Sequence, residues 1–176
     1  MFKRVIFLSI MASQIWAGQE IGNGGGFALC SDNKYYSYDY LITLKNSFGP
    51  LRSSMTSHQH IKYIQAQLKR LDDRLLGSFN LFMSNLFTQG PGMRFQWFPQ
   101  KNLPLKLEPV LASLLPLQCK TRKQAAYYIQ EPTSIAKYLY DLEFIRQVEN
   151  QPEGGLHVSF LLIHEWLWNY FHSDDF

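Results

Sequence analysis

Near the C-terminus an imidazole and a carboxylate stand side by side, His164 and Glu165, inside a stretch from Leu156 to Phe171 in which Glu165 is the only formal charge. A carboxylate moved out of water costs several kcal/mol unless something answers it. Glu165 therefore has to meet a cation, a set of donors or a metal, or keep its proton. The sequence Ile163-His164-Glu165 invites comparison with the H-E-x-x-H helix of zinc metallopeptidases. There two histidines one turn apart hold the ion and the glutamate activates its water. Here the position four residues after His164 is Trp168. His172 lies two turns on, about 12 Å along the axis, and His157 precedes His164 by a similar distance. A metal site would need ligands from elsewhere, and His58 and His60 are the one cluster of suitable type. As an i, i+2 pair they point to opposite sides if helical. The remaining choices are a buried polar network, with Arg94 or Arg146 as basic partner, a catalytic centre with His164 as zinc ligand and Glu165 as general base, or an exposed binding site. No Ser-His-Asp or Cys-His arrangement has a local signature.

The element that must carry this pair is apolar nearly all round, which for a helix implies burial at the centre of the fold. If fully helical it is about 24 Å long, short of a bilayer core, so no membrane span is expected in the mature chain. Upstream, Ile61, Ile64, Leu68, Leu71, Leu75, Phe79, Phe82 and Leu86 recur at steps of three and four. This spacing predicts one long amphipathic helix that starts at Thr56 or Ser57 and ends at Gly90-Pro91-Gly92. Gly77 within it marks a break or a close crossing. Phe27–Cys30 and Tyr35–Leu44, separated by the turn formers Ser31-Asp32-Asn33-Lys34, predict a β-hairpin with Tyr36, Tyr38 and Tyr40 along one face. Arg94–Phe98 reads as a short strand, and the prolines from Pro99 to Pro116 as loop. Gln124–Gln130 reads as a third strand. Ile135, Leu139, Leu142, Ile145 and Val148 predict a helix over Thr133–Asn150, broken by Pro152-Glu153-Gly154-Gly155. The expected fold is α+β: a small antiparallel sheet, hairpin plus third strand, packed on the long helix and the buried C-terminal helix.

The chain opens with Lys3 and Arg4, an apolar run from Val5 to Trp16, and the small residues Ala17 and Gly18. This is the pattern of a removable secretory leader over residues 1–18, leaving one domain over 19–176 in the periplasm or secreted. No cysteine follows the cut to carry a lipid. The formal charge of +3 falls to +1 without Lys3 and Arg4, which rules out a strong electrostatic case for nucleic acid, and none is expected as a partner. With 46% apolar, 15% aromatic and 18% charged residues, the composition excludes disorder. The glycine-dense Ile21–Gly26 lacks the preceding strand and the Lys-Ser or Lys-Thr of a phosphate loop. Cys30 and Cys119 are the two cysteines. In an oxidising compartment a disulfide is their natural pairing, and two buried thiols or a metal or redox role are the alternatives.

Taken in order, Gly22-Asn23-Gly24-Gly25, Cys30, Leu115-Pro116-Leu117-Gln118-Cys119 with Lys123-Gln124-Ala125, and Leu162-Ile163-His164-Glu165 resemble a family of exported proteins from predatory and related Gram-negative bacteria. The resemblance spans most of the mature chain. That family has no established activity, so it implies export, supports the pairing of Cys30 with Cys119 and directs attention to His164 and Glu165. It departs at Gly26, where the family often has an acidic residue. Two functions are expected from these readings. The first is a non-catalytic binding or structural module with a protein or envelope partner and no cofactor. The second is a small, degenerate zincin-like hydrolase that uses zinc on His164 with Glu165 as base.

Overall fold

The computed structural model describes residues 25–45, 51–87, 95–104, 116–129 and 136–172. The leader at 1–18, most of the glycine-rich loop, Gly90-Pro91-Gly92 and Arg94 lie outside them. Five helices and two three-stranded sheets make an α+β fold over the described residues.

Strand β1 (Gly26–Cys30) turns back into β2 (Tyr35–Ser37) with Phe27 opposite Ser37 and Leu29 opposite Tyr35. Asn33 takes φ of 61° in this turn, a conformation asparagine tolerates. Strand β4 (Cys119–Gln124) pairs with the other edge of β1 to give the order β2-β1-β4. Cys30 stands directly opposite Cys119, and a disulfide joins them across 89 residues of sequence.

The second hairpin strand is shorter than expected. At Ser37 the chain enters helix α1 (Tyr38–Lys45), because the Ser37 hydroxyl accepts the Tyr40 N–H at 3.4 Å and Asp39 favours the first turn. The tyrosines therefore form no strand ladder. Tyr36 and Tyr40 stack instead, with ring centroids 5.8 Å apart.

The long amphipathic segment is two helices, α2 (Ser57–Leu71) and α3 (Asp73–Ser84). Thr56 opens α2 with a reciprocal cap on Gln59. The break falls at Asp72 and not at Gly77. Asp72 is extended (φ −162°, ψ 127°), donates its N–H to the Leu68 carbonyl and accepts the Arg74 N–H on its carboxylate at 2.7 Å. One residue thus ends one helix and starts the next. Gly77 marks no crossing, since a Cβ there would meet nothing within 4 Å.

The second sheet has the order β3-β6-β5, built from β3 (Phe95–Pro99), β5 (Ala126–Ile129) and β6 (Ala136–Tyr140). β6 runs parallel to β3 and antiparallel to β5. Where one strand was expected over Gln124–Gln130, the chain changes sheets at Ala125. Its N–H goes to the Gly25 carbonyl and its carbonyl takes the Asp141 N–H. The expected helix over Thr133–Asn150 is also corrected. Tyr138 and Tyr140 are buried while Lys137 and Leu139 are half-buried, the two-residue alternation of a strand. Helix α4 (Leu142–Glu149) begins only after Asp141 caps it through the Phe144 N–H at 3.0 Å.

Helix α5 (Gly154–His172) is the centre of the core, with Leu156, Val158, Phe160, Leu161, Leu162, Trp166, Leu167 and Trp168 all buried. Its start lies so close to the head of α2 that a Cβ on Gly155 would sit 2.5 Å from the Met55 carbonyl oxygen, which is why glycine stands there. Phe79 packs edge-on to Trp166, and Trp97 stacks on Tyr138 at 4.5 Å. Among the described residues no helix is long and apolar enough to cross a membrane.

Candidate functional site

Successive residues of a helix point about 100° apart, and α5 uses that angle to send His164 and Glu165 to different places. Glu165 is 1% exposed. Its Oε1 accepts the backbone N–H of Gly25 at 2.6 Å, a peptide 140 residues away that leads into β1. Gly25 is also held through its carbonyl by Ala125. The approach is close enough that a Cβ on Gly25 would lie 1.7 Å from Leu161 Cδ1. Burial raises the Glu165 pKa above the ordinary carboxyl value, while the neighbouring His164 and the Gly25 N–H pull it back down and Asp39 pushes it up. Its second oxygen, Oε2, has no hydrogen-bond partner among the described residues. The Tyr138 hydroxyl donates to the backbone carbonyl of Glu165 at 3.3 Å, and burial first, then the Glu165 charge, keeps that phenol neutral.

His164 is half-buried and turns its Nδ1 to Asp39 in the first turn of α1, 3.3 Å from Oδ1 and 3.2 Å from Oδ2. The contact is an ion pair when the imidazole is protonated. The expected network is therefore two separate tethers. One runs from α5 to the peptide before β1 and the other from α5 to α1. Neither expected basic partner meets Glu165: Arg94 lies outside the described residues, and Arg146 is exposed and makes no ion pair with it.

The other histidines do not gather on this pair. His157 is buried two turns earlier, its ring edge-on between Tyr36 and Tyr40 at 4.9 and 4.7 Å. Burial lowers its pKa to about 4. His58 is exposed on the first turn of α2, and His60 is half-buried with its pKa lowered by burial. His172 ends α5. Among the described residues no three His, Cys, Asp or Glu side chains are grouped to hold a metal ion.

A cleft of about 270 Å³ opens beside α5. Its buried wall is Trp97, Ala126, Ile145, Val158, Leu161 and Leu162, with Glu165 the one ionisable group among them. His58, Arg146 and Glu149 stand at the exposed rim, where the Ser57 hydroxyl donates to the Glu149 carboxylate.

Two participants had no obvious place in the sequence reading. Asp39 is the only charge between Tyr35 and Leu44, the same lone-carboxylate signal that singles out Glu165. The Gly25 amide carries no side-chain signature at all. No family model, curated protein or solved structure matches this chain.

Proposed function

We propose that the protein works outside the cytoplasm, in the periplasm or secreted, as a non-catalytic binding or structural module. In this reading His164 and Glu165 are docking groups of the central helix. The Cys30–Cys119 disulfide supports an oxidising compartment, as does the leader pattern at residues 1–18. One observation carries the non-catalytic reading: the two neighbours are committed to different partners, Gly25 and Asp39. A metal-dependent hydrolase would bring imidazole, carboxylate and a further donor to one solvent-reachable point. Here the carboxylate is buried in the wall of the cleft, and its bonded oxygen is occupied by a peptide N–H, while the imidazole faces Asp39. Both tethers reach the N-terminal region around β1, β2 and α1. The pair therefore fixes how that region seats on the core helix, leaving the surface and the cleft free for a partner.

The test is elemental analysis of the purified, processed protein beside its His164→Ala variant. The expected result is no stoichiometric zinc in either. One equivalent of zinc that is lost in a folded His164→Ala protein would overturn the reading in favour of a zincin-like centre.

A further inference from the structure

The cleft beside α5 has a property that packing alone does not explain. At about 270 Å³ it has room for roughly nine waters at about 30 Å³ each. Its buried surface is aromatic and aliphatic, which suits an apolar guest more than a chain of waters. Yet it includes Glu165, whose Oε2 lacks a partner among the described residues. The nearest candidate counter-charge, His164, faces Asp39. The guest that satisfies both halves of this lining has an apolar body and a cationic donor.

We propose that the cleft is a binding site for a small hydrophobic primary amine, its body against Trp97, Ile145, Leu161 and Leu162 and its ammonium on Oε2 of Glu165, the oxygen without a partner among the described residues. The ligand ammonium supplies a donor to Oε2, which has none among the described residues, and holds the carboxylate ionised. The Gly25 N–H keeps Oε1 in place, so the carboxylate is oriented before the ligand arrives. Glu149 at the rim shares the sign of Glu165, and Arg146 at the rim disfavours a second cation outside the cleft. No bond is made or broken. The proposal names a ligand class for the binding module argued above and rests on that reading.

The experiment is a titration of the oxidised, processed protein at pH 7 with 2-phenylethylamine, its neutral counterpart 2-phenylethanol and the anionic 3-phenylpropanoate, followed by amide and indole NMR shifts. The amine should shift Trp97 and its neighbours saturably and bind about tenfold tighter than the alcohol, with the acid weakest. Glu165→Gln keeps a carbonyl for the Gly25 N–H and should bring the amine down to the affinity of the alcohol. Ile61→Trp, at the half-buried mouth, should block all three and keeps the test open if Glu165→Gln fails to fold. Equal affinity for amine and alcohol, preference for the acid, no saturable binding, or indifference to both substitutions would each overturn the proposal. These failures leave the docking roles of His164 and Glu165 standing, whereas zinc on His164 would remove those roles whatever the cleft binds.

Discussion

On one side of α5, His164 reaches Asp39 across a contact that water still touches, with 21% and 17% of the two side chains exposed. On the other side, one residue later, Glu165 reaches the Gly25 peptide with only 1% of the residue exposed. The two contacts tie the same helix to the same end of the chain, yet their energetics differ in kind. An ion pair that solvent still reaches is screened and adds little. A sealed hydrogen bond adds little when made and costs much when one partner is removed, because the other is left dry and unpaired. The same dipeptide thus carries an adjustable contact and an obligatory one, and sequence adjacency says nothing about which is which.

The largest change should come from opening the clamp beneath both contacts. Cys30→Ser with Cys119→Ser frees a loop of 89 residues and should lower stability by about 4 kcal/mol, read from urea midpoints under oxidising conditions. If the loss is under about 1 kcal/mol, the hairpin seats without the disulfide and the two contacts carry most of its attachment.

Next in size is the sealed side. Glu165→Leu keeps the volume but strands the Gly25 N–H, and should cost about 3 kcal/mol. Glu165→Gln, which preserves an acceptor, should cost about 1 kcal/mol. Gly25→Ala, with its methyl driven into Leu161, should cost about 2 kcal/mol.

The pH dependence sharpens the contrast between two buried titratable groups of opposite sign. His157 has a folded pKa of about 4 against an ordinary 6.5, so the unfolded chain takes the proton first as pH falls. Its contribution is full above pH 6.5 and is lost between 6.5 and about 4, about 3 kcal/mol in all. Glu165 runs the other way. Its folded pKa lies above 4.5, so the stability linked to its proton is full below 4.5 and is lost as pH rises through the folded value. Denaturation midpoints from pH 4 to 8 should lose the acid limb in His157→Phe and flatten at higher pH in Glu165→Gln. An unchanged acid limb in His157→Phe would place the acid sensitivity elsewhere.

The smallest effect is on the wet side. A double-mutant cycle of His164→Ala and Asp39→Asn should give a coupling under about 1 kcal/mol that shrinks further in high salt. A coupling of several kcal/mol would put this pair on equal footing with Glu165.

What the sequence made legible follows the same divide between local and distant causes. The hairpin was readable because Ser31 to Lys34 are turn formers next to aromatic strands, and α5 was readable because its apolar run admits no solvent face. The need of Glu165 for a partner followed from its isolation among apolar residues. The partner itself did not, because a glycine N–H from 140 residues away leaves no mark in side-chain chemistry. β6 was hidden for a related reason. Leu139 and Leu142 fit a helical step, while the residues β6 buries are Tyr138 and Tyr140, and its parallel pairing with β3 joins segments some forty residues apart. The break at Asp72 outweighed the weaker signal of Gly77 because a capping carboxylate satisfies orphan N–H groups and an exposed glycine satisfies nothing.

The central claim, that Glu165 and not His164 locks the N-terminal segment to the core helix, is tested most directly by hydrogen exchange at the Gly25 amide. In the unaltered protein and in His164→Ala that amide should exchange about as slowly as the β1 amides around it. In Glu165→Leu it should exchange far faster while the protection of α5 persists. Fast exchange at Gly25 in the unaltered protein, or equal protection in Glu165→Leu, would contradict the account.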